Sequence, residues 1–347
     1  MNTLKRATYL AISWIAGTFL LPLPAVATPV DPALPQYEPH SVDVLKTATY
    51  LTPDGSIRIA GAEHAKKMIE GFDELFIRSH PGSKFDLDGL KGTTIGMPAL
   101  THGVTAFAPM GRDATDVELV PYTKIVGTKP LVIRVAHATH TSRKPAQTLA
   151  IYVNKANPVE KLTMQQVTRI FTTGHTKGDI VQWSQVGSQG EWAKLPIHPI
   201  GTPAYTGFGS YMEKNHFGGL PYRPGYETCP DSAEIVKRVG EDPTGIGFAS
   251  ISFVSPSVKI VALTEKDGGY YSNGSVEDSL AGKYPLERFL YFFVRKVEGQ
   301  PIDPFIREYF RLIFSKEGQQ IVASENDPSL YIPLTAREAA EELAKLE

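Results

Sequence analysis

The sequence predicts an α/β fold with largely parallel sheets, and three observations carry the prediction. Short apolar runs of strand length alternate with stretches of helical periodicity over most of the chain. Several strand-to-helix junctions are loops of Gly and hydroxyl residues, above all Gly201-Thr202-Pro203-Ala204-Tyr205-Thr206-Gly207-Phe208-Gly209. With 347 residues, 42% of them hydrophobic, the chain is long enough for two domains, each with a real core.

In chain order, Lys5-Arg6, an apolar run over 7–21 and Pro22-Leu23-Pro24-Ala25-Val26-Ala27 form a secretory signal pattern, with cleavage expected after Ala27 and a periplasmic or secreted mature protein. The Pro-rich residues 28–50 read as an extended leader. A strand at 56–60 turns at Gly61-Ala62-Glu63-His64 into a helix whose Ala65, Met68, Ile69, Phe72, Leu75 and Phe76 share one face. Gly92-Thr93-Thr94 marks a further helix start, and strands follow at 104–110 and 131–136. Residues 137–144 read as a polar linker, 149–153 as a buried strand, and Thr163 as the cap of a helix carrying Met164, Val167, Ile170 and Phe171. Residues 195–200 form a strand, 210–215 a helix, and Ile235, Val236 and Val239 the face of another. Strands are expected at 245–249, 258–263 and 289–294, then a helix lined by Phe305, Ile306, Tyr309, Phe310 and Ile313, and a charged, solvated terminal helix over 336–347.

Several functions are disfavoured. The net charge of −2 and the lack of a basic block argue against a nucleic-acid partner. The single Cys229 cannot form an internal disulfide. There is no Gly-x-Ser-x-Gly elbow, no His-Glu-x-x-His pair and no convincing acid pair, so no enzyme is expected and no cofactor is implied. His137 and His140, with His102 or His64, have ligand-like spacing but sit among Thr and Ser without a carboxylate motif, so no metal site is expected either.

Three stretches, in order, resemble one family. Tyr284-Pro285-Leu286-Glu287-Arg288 followed by Phe310-Arg311-Leu312-Ile313-Phe314-Ser315 and Tyr331-Ile332-Pro333-Leu334 is similar to the closing strand, last helix and terminal Ile-Pro-Leu of the phosphate-binding proteins of ABC transporters, within the type II solute-binding proteins. Ile170-Phe171-Thr172-Thr173-Gly174 with Gln182-Trp183-Ser184, and Gly245-Ile246-Gly247-Phe248-Ala249, resemble its second domain. The resemblance implies two lobes joined by crossing strands, with a small anionic solute, phosphate or a related oxyanion, held between them. It implies a monomer that delivers this solute to an ABC permease, with lobe 1 over 51–147 and 255–334 and lobe 2 over 148–254. The alternative is a stand-alone exported protein of the same fold, binding another solute or a protein partner as a sensor or adhesion component.

The helix start at 201–209 leaves an anion-shaped vacancy, because the first N–H groups of a helix have no internal acceptors; the alternative from these residues alone is an ordinary strand-to-helix connection whose Gly and Pro only make the turn. By resemblance the ligand loops are Ala62-Glu63-His64, Thr93-Thr94, Arg112, and Thr202 with Tyr205-Thr206-Gly207. Glu63 would repel a dianion unless protonated or turned away. Arg112 is a candidate for a bidentate contact or a rim ion pair. The family's second-lobe arginine is replaced by Thr202. Tyr205 and Phe208 either face an organic solute or pack beneath the loop.

Overall fold

The computed structural model describes residues 29–347 apart from 43, 45, 144–145 and 325–328; the expected signal segment lies outside them. The first stretch comprises β1 (Ile57–Gly61), a 3-10 turn (Glu63–Ala65), α1 (Lys66–Ser79), β2 (Phe85–Leu90), α2 (Thr93–Thr101), β3 (Ala108–Met110), α3 (Asp116–Val126) and β4 (Leu131–His137). The chain then crosses to β5 (Leu149–Asn154), β6 (Lys161–Thr163), α4 (Met164–Phe171), β7 (His198–Gly201), α5 (Gly207–Asn215), β8 (Glu227–Thr228), α6 (Ser232–Glu241), β9 (Gly245–Ser250), β10 (Val258–Ile260), β11 (Ala262–Thr264) and α7 (Val276–Leu280). It returns through β12 (Phe289–Val294), α8 (Pro304–Ile313), α9 (Lys316–Val322) and α10 (Ala336–Ala344).

Alternation of side chains along β12 puts neighbouring aromatics on opposite faces of its sheet. Phe292 joins Phe76, Phe107 and Tyr309 in one core, while Phe293 joins Met97, Leu100 and Tyr122 under α2 and α3. In the second lobe Ile151 and Phe248 face a core with Phe171 and Trp183, and Ala150 and Ile200 face α6 through Ile235 and Val239. The three-stranded β3-β12-β4 sheet and the five-stranded β10-β5-β9-β7-β8 sheet are thus each covered on both faces, with β1-β2 and β6-β11 as separate pairs.

The sheets are less parallel than the alternating pattern predicts. β1–β2, β6–β11, β7–β8 and β7–β9 are parallel, but β12 runs antiparallel to both β3 and β4, and β5 to both β9 and β10. β5 and β12 each arrive from the other lobe and not through a helical crossover, so no βαβ handedness sets their direction. For the same reason the boundary drawn after 254 falls inside a sheet. β10 pairs with β5, and Val261, Leu263, Tyr284 and Leu286 complete the second core.

Both chain ends described here are tied down. The leader lies along the first lobe with Leu34 buried, Tyr37 Oη donating to Glu308 at 2.9 Å and Asp31 accepting from Ala336 N at 2.9 Å. The terminal helix is not merely solvated: Glu338 and Glu342 of α10 are buried and accept hydrogen bonds from His137 and Arg134. Its apolar side supplies Ala339, and Leu346 just beyond it is also buried, which a reading of its surface charge alone overlooks.

Gly61 ends β1 at φ 150°, where a Cβ would stand 2.4 Å from the Pro109 carbonyl oxygen. That carbonyl also accepts Ala62 N at 2.8 Å, so it has nowhere to retreat. Gly61→Ala is expected to cost about 1–3 kcal/mol of stability, visible as a lower Tm in ligand-free thermal unfolding; an unchanged Tm would contradict the placement of this turn.

Candidate functional site

At the edge of the first lobe the end of β1 gathers three loops. Gly92 N donates to Gly61 O at 2.9 Å, which draws the start of α2 beside Ala62 and Glu63. Gly111 follows β3 onto the same edge, pressed so closely by the His64 ring that a Cβ would lie 2.7 Å from Nε2. His64 Nδ1 is in turn 2.7 Å from Tyr331 Oη. Neither helix start carries a side-chain cap, since Ala62 and Gly92 occupy the cap positions. Their leading N–H groups, those of Thr93 and Thr94 included, are left without helical acceptors and concentrate positive potential there. Glu63 is exposed, its Oε2 3.9 Å from the Cβ position of Gly92, and so leans toward the start of α2.

The second lobe presents the start of α5, which begins at Gly207, three residues earlier than the sequence suggests. Thr206 explains the difference. Its Oγ1 accepts from Gly209 N at 3.2 Å and lies 2.8 Å from Thr202 Oγ1 and 2.7 Å from Pro203 O, a capped turn that recruits the glycines into the helix. Only glycine fits at 209, where a Cβ would fall 2.1 Å from the Pro203 carbonyl. The Gly207 and Phe208 N–H groups are in the first turn and have no helical acceptor.

The two edges meet. Arg112 Cδ is 4.0 Å from the Cβ position of Gly207, Lys214 Nζ donates to Ala114 O and Asp116 at 3.1 Å, and Asn215 donates to Asp113 at 3.1 Å. Arg288 sits behind this contact, 3% exposed, donating to Gln147 O at 3.0 Å and Gly111 O at 3.2 Å, with its guanidinium 5.0 Å from the Phe208 ring and 4.9 Å from that of Tyr211. It makes no ion pair among the described residues, and burial lowers its pKa from the usual arginine value. An open hollow of ≈ 330 Å³ adjoins the start of α5, lined by Thr202, Thr206, Phe208, Arg143, Asp231 and Phe253 among others.

The crossing segments are locked by buried charge. Glu287 accepts from His137 Nδ1, His140 Nε2 and Thr148 Oγ1, each at 3.2 Å, while His137 Nε2 lies 3.1 Å from Glu338. Both ring nitrogens of His137 face carboxylates, so both carry protons and the ring is a cation. Burial works against that charge, but the bonds to Glu287 and Glu338 outweigh it and raise the His137 pKa. Burial likewise opposes ionisation of Glu287, yet bonds from His137 and His140 outweigh it and lower its pKa. The segment taken as a polar linker therefore begins with a structural histidine pair, and these rings are engaged by carboxylates.

Of the residues singled out from sequence, Ala62, Glu63, His64, Thr93 and Thr94 share the first-lobe edge, and Thr202, Thr206 and Gly207 share the second. Arg112 is committed to the rim ion pair, bidentate to Glu118 at 2.8 and 2.9 Å. Tyr205 does not pack beneath the loop but is 87% exposed; Phe208 is the ring that packs, under Arg288. The sequence offered no periodic signal for Arg143 or Arg288, because both lie in crossing segments.

Comparison with known proteins agrees with this architecture. The sequence model of the PBP superfamily domain matches residues 46–317. The Phosphate-binding protein PstS of Pseudomonas aeruginosa is 32% identical over 320 residues, 91% of this chain and 92% of that protein. Protein SphX of Synechococcus elongatus is 26% identical over 169 residues, 47% of this chain and 49% of that protein. Among solved structures, an ABC-type phosphate transport receptor from Vibrio cholerae gives a TM-score of 0.52 at 22% identity, covering 80% of this chain and 99% of that one. PstS from Borrelia burgdorferi gives 0.53 at 16% identity, covering 80% and 98%. The two-lobed type II fold expected from the sequence is the fold of these structures.

The His137 cluster sets a pH window. A raised histidine pKa contributes stability that is complete below about 6.5, the unfolded value, and is lost as pH rises toward the folded one. A lowered Glu287 pKa contributes stability that is complete above about 4.5 and is lost as pH falls. His137→Ala is expected to cost about 3 kcal/mol or more between those limits, and the gap from wild type should narrow in alkaline buffer. Urea unfolding across the pH range checks this, and a gap independent of pH would refute it.

Proposed function

The chain belongs to the phosphate-binding family of the PBP superfamily, and from that membership we propose that it is the solute-capturing component of a phosphate ABC transporter, exported to the periplasm or the cell exterior. The observation that carries this is the contact of the start of α5 with Arg112, on the edge where the uncapped helix starts of the first lobe lie, backed by a buried arginine without a carboxylate partner among the described residues. Such a setting favours an anion over a neutral solute.

Magnitudes are adequate. Micromolar affinity needs roughly 8 kcal/mol. A hydrogen bond to a charged group contributes about 1.5–3 kcal/mol, and a helix terminus about 0.3–2 kcal/mol, so four or five donors suffice. The N–H groups at 63–64, 93–94 and 207–208 supply them on this proposal, with the Thr93 and Thr202 hydroxyls. Thr206 acts as the cap that holds α5 in place, Arg112 as a rim pair with Glu118, and Tyr205 stays in solvent. Glu63 adds selectivity: its carboxylate repels a fully ionised anion but accepts the proton that phosphate retains near neutral pH and sulfate does not.

Closure of the lobes on solute then creates the shape that a permease recognises, with the carrier acting as a monomer and performing no covalent chemistry. Calorimetric titration is expected to give micromolar or tighter binding of phosphate and weaker binding of sulfate and small carboxylates. Absence of heat and of any thermal shift with all of them would overturn the proposal. Glu63→Gln is expected to strengthen sulfate binding relative to phosphate, narrowing the preference by about tenfold; an unchanged ratio would remove Glu63 from the site.

A further inference from the structure

We propose that Arg143 supplies the guanidinium contact to the bound oxyanion, reaching it from the segment that crosses between the lobes; this deepens the carrier function proposed above and rests on it. Thr202 stands where the family resemblance leads one to expect an arginine, and Thr202 and Arg143 line the same ≈ 330 Å³ hollow. The positive charge missing from one wall of that hollow is present on another.

Three features prepare Arg143 for this role. Its guanidinium carbon lies 4.5 Å from the centroid of the Phe253 ring, and stacking on a ring orients the planar fork while leaving its N–H edges available. It has no ion pair among the described residues, whereas Arg58, Arg112, Arg134 and Arg238 all engage carboxylates. The hollow is also bounded by the start of α5 at Thr206 and Gly207, so an anion placed there has backbone donors beside it as well as the fork.

Among the described residues Asp231 is the one carboxylate lining this hollow, and it caps α6 by accepting Glu234 N at 3.0 Å. Its charge opposes an incoming anion, and Arg143 offsets it. The two residues therefore act in opposite directions on affinity, which a purely structural role for either would not produce.

The experiment is phosphate titration by calorimetry at fixed ionic strength on wild type, Arg143→Ala, Arg143→Lys and Asp231→Asn, with Tm measured on each ligand-free protein. Arg143→Ala is expected to weaken phosphate binding by about 10- to 100-fold at unchanged Tm. Arg143→Lys should restore part of the loss, because it returns the charge without the planar fork. Asp231→Asn, which keeps a good helix cap, should tighten binding. Wild-type binding with Arg143→Ala within twofold of it overturns this assignment and leaves the carrier function standing. No binding of phosphate or sulfate by wild type overturns the carrier function itself, and the assignment falls with it.

Discussion

Two adjacent charges, Glu287 and Arg288, at the point where the chain returns to its first lobe, are the constraint on which the rest of this structure depends. Successive residues of an extended segment point to opposite sides. Glu287 thus turns to His137, His140 and Thr148, and Arg288 turns to Gly111, Gln147 and the rings of Phe208 and Tyr211. Removing either charge from water costs several kcal/mol, and each recovers that cost through partners drawn from more than one part of the chain. The crossing segments are held beside this point by Ala138 N to Arg288 O at 2.8 Å and Leu149 N to Leu286 O at 3.3 Å.

The hinge and the terminal helix are coupled by the same charges. His137 is shared between Glu287, in the crossing, and Glu338, in α10. Docking of α10 therefore contributes to the charge state of the hinge, and a helix rich in Ala and Glu is recruited for its carboxylates as much as for its apolar side. The contacts between lobes at the mouth are of another kind. Lys214 to Asp116 and Asn215 to Asp113 are exposed on at least one partner, and pairs of that sort contribute about 0–1 kcal/mol each. The crossing is thus held by buried charge, and the mouth only by exposed pairs.

The element pattern was largely legible in sequence because core residues repeat at the period of their element. Met68, Ile69, Phe72 and Phe76 marked α1, and Thr163 announced α4 as its cap, to which the structure adds the reciprocal bond with Gln166. Strand direction was not legible, since β5 and β12 pair with partners set by a distant crossing and not by their neighbours in sequence. The helix α3, with Val117 and Val120 exposed and Pro121 within it, carries no clean apolar stripe to announce it. At the site, helix starts such as Gly92-Thr93 were readable from local chemistry. Arg112 was equally conspicuous, but only the position of Glu118 six residues later in α3 shows that its fork is spent.

The work of a charge depends on where it stands in space and not on its position in the sequence, and this bears on how a divergent ligand loop should be judged. A hydrogen-bond donor from the backbone is tied to its helix start, because the N–H direction follows from φ and ψ. A guanidinium is not so tied, since its long side chain reaches over a wide radius and it needs only a ring or a carbonyl to orient it. A threonine at 202 in place of the expected arginine therefore does not by itself empty the hollow of positive charge, when Arg143 lines it on Phe253 and Arg288 packs against Phe208. Had the helix start been lost instead, no side chain elsewhere could have replaced the Gly207 and Phe208 amides together. The order of tolerance follows from geometry: side-chain cations can move between elements, whereas the Gly207 turn and its Thr206 cap cannot.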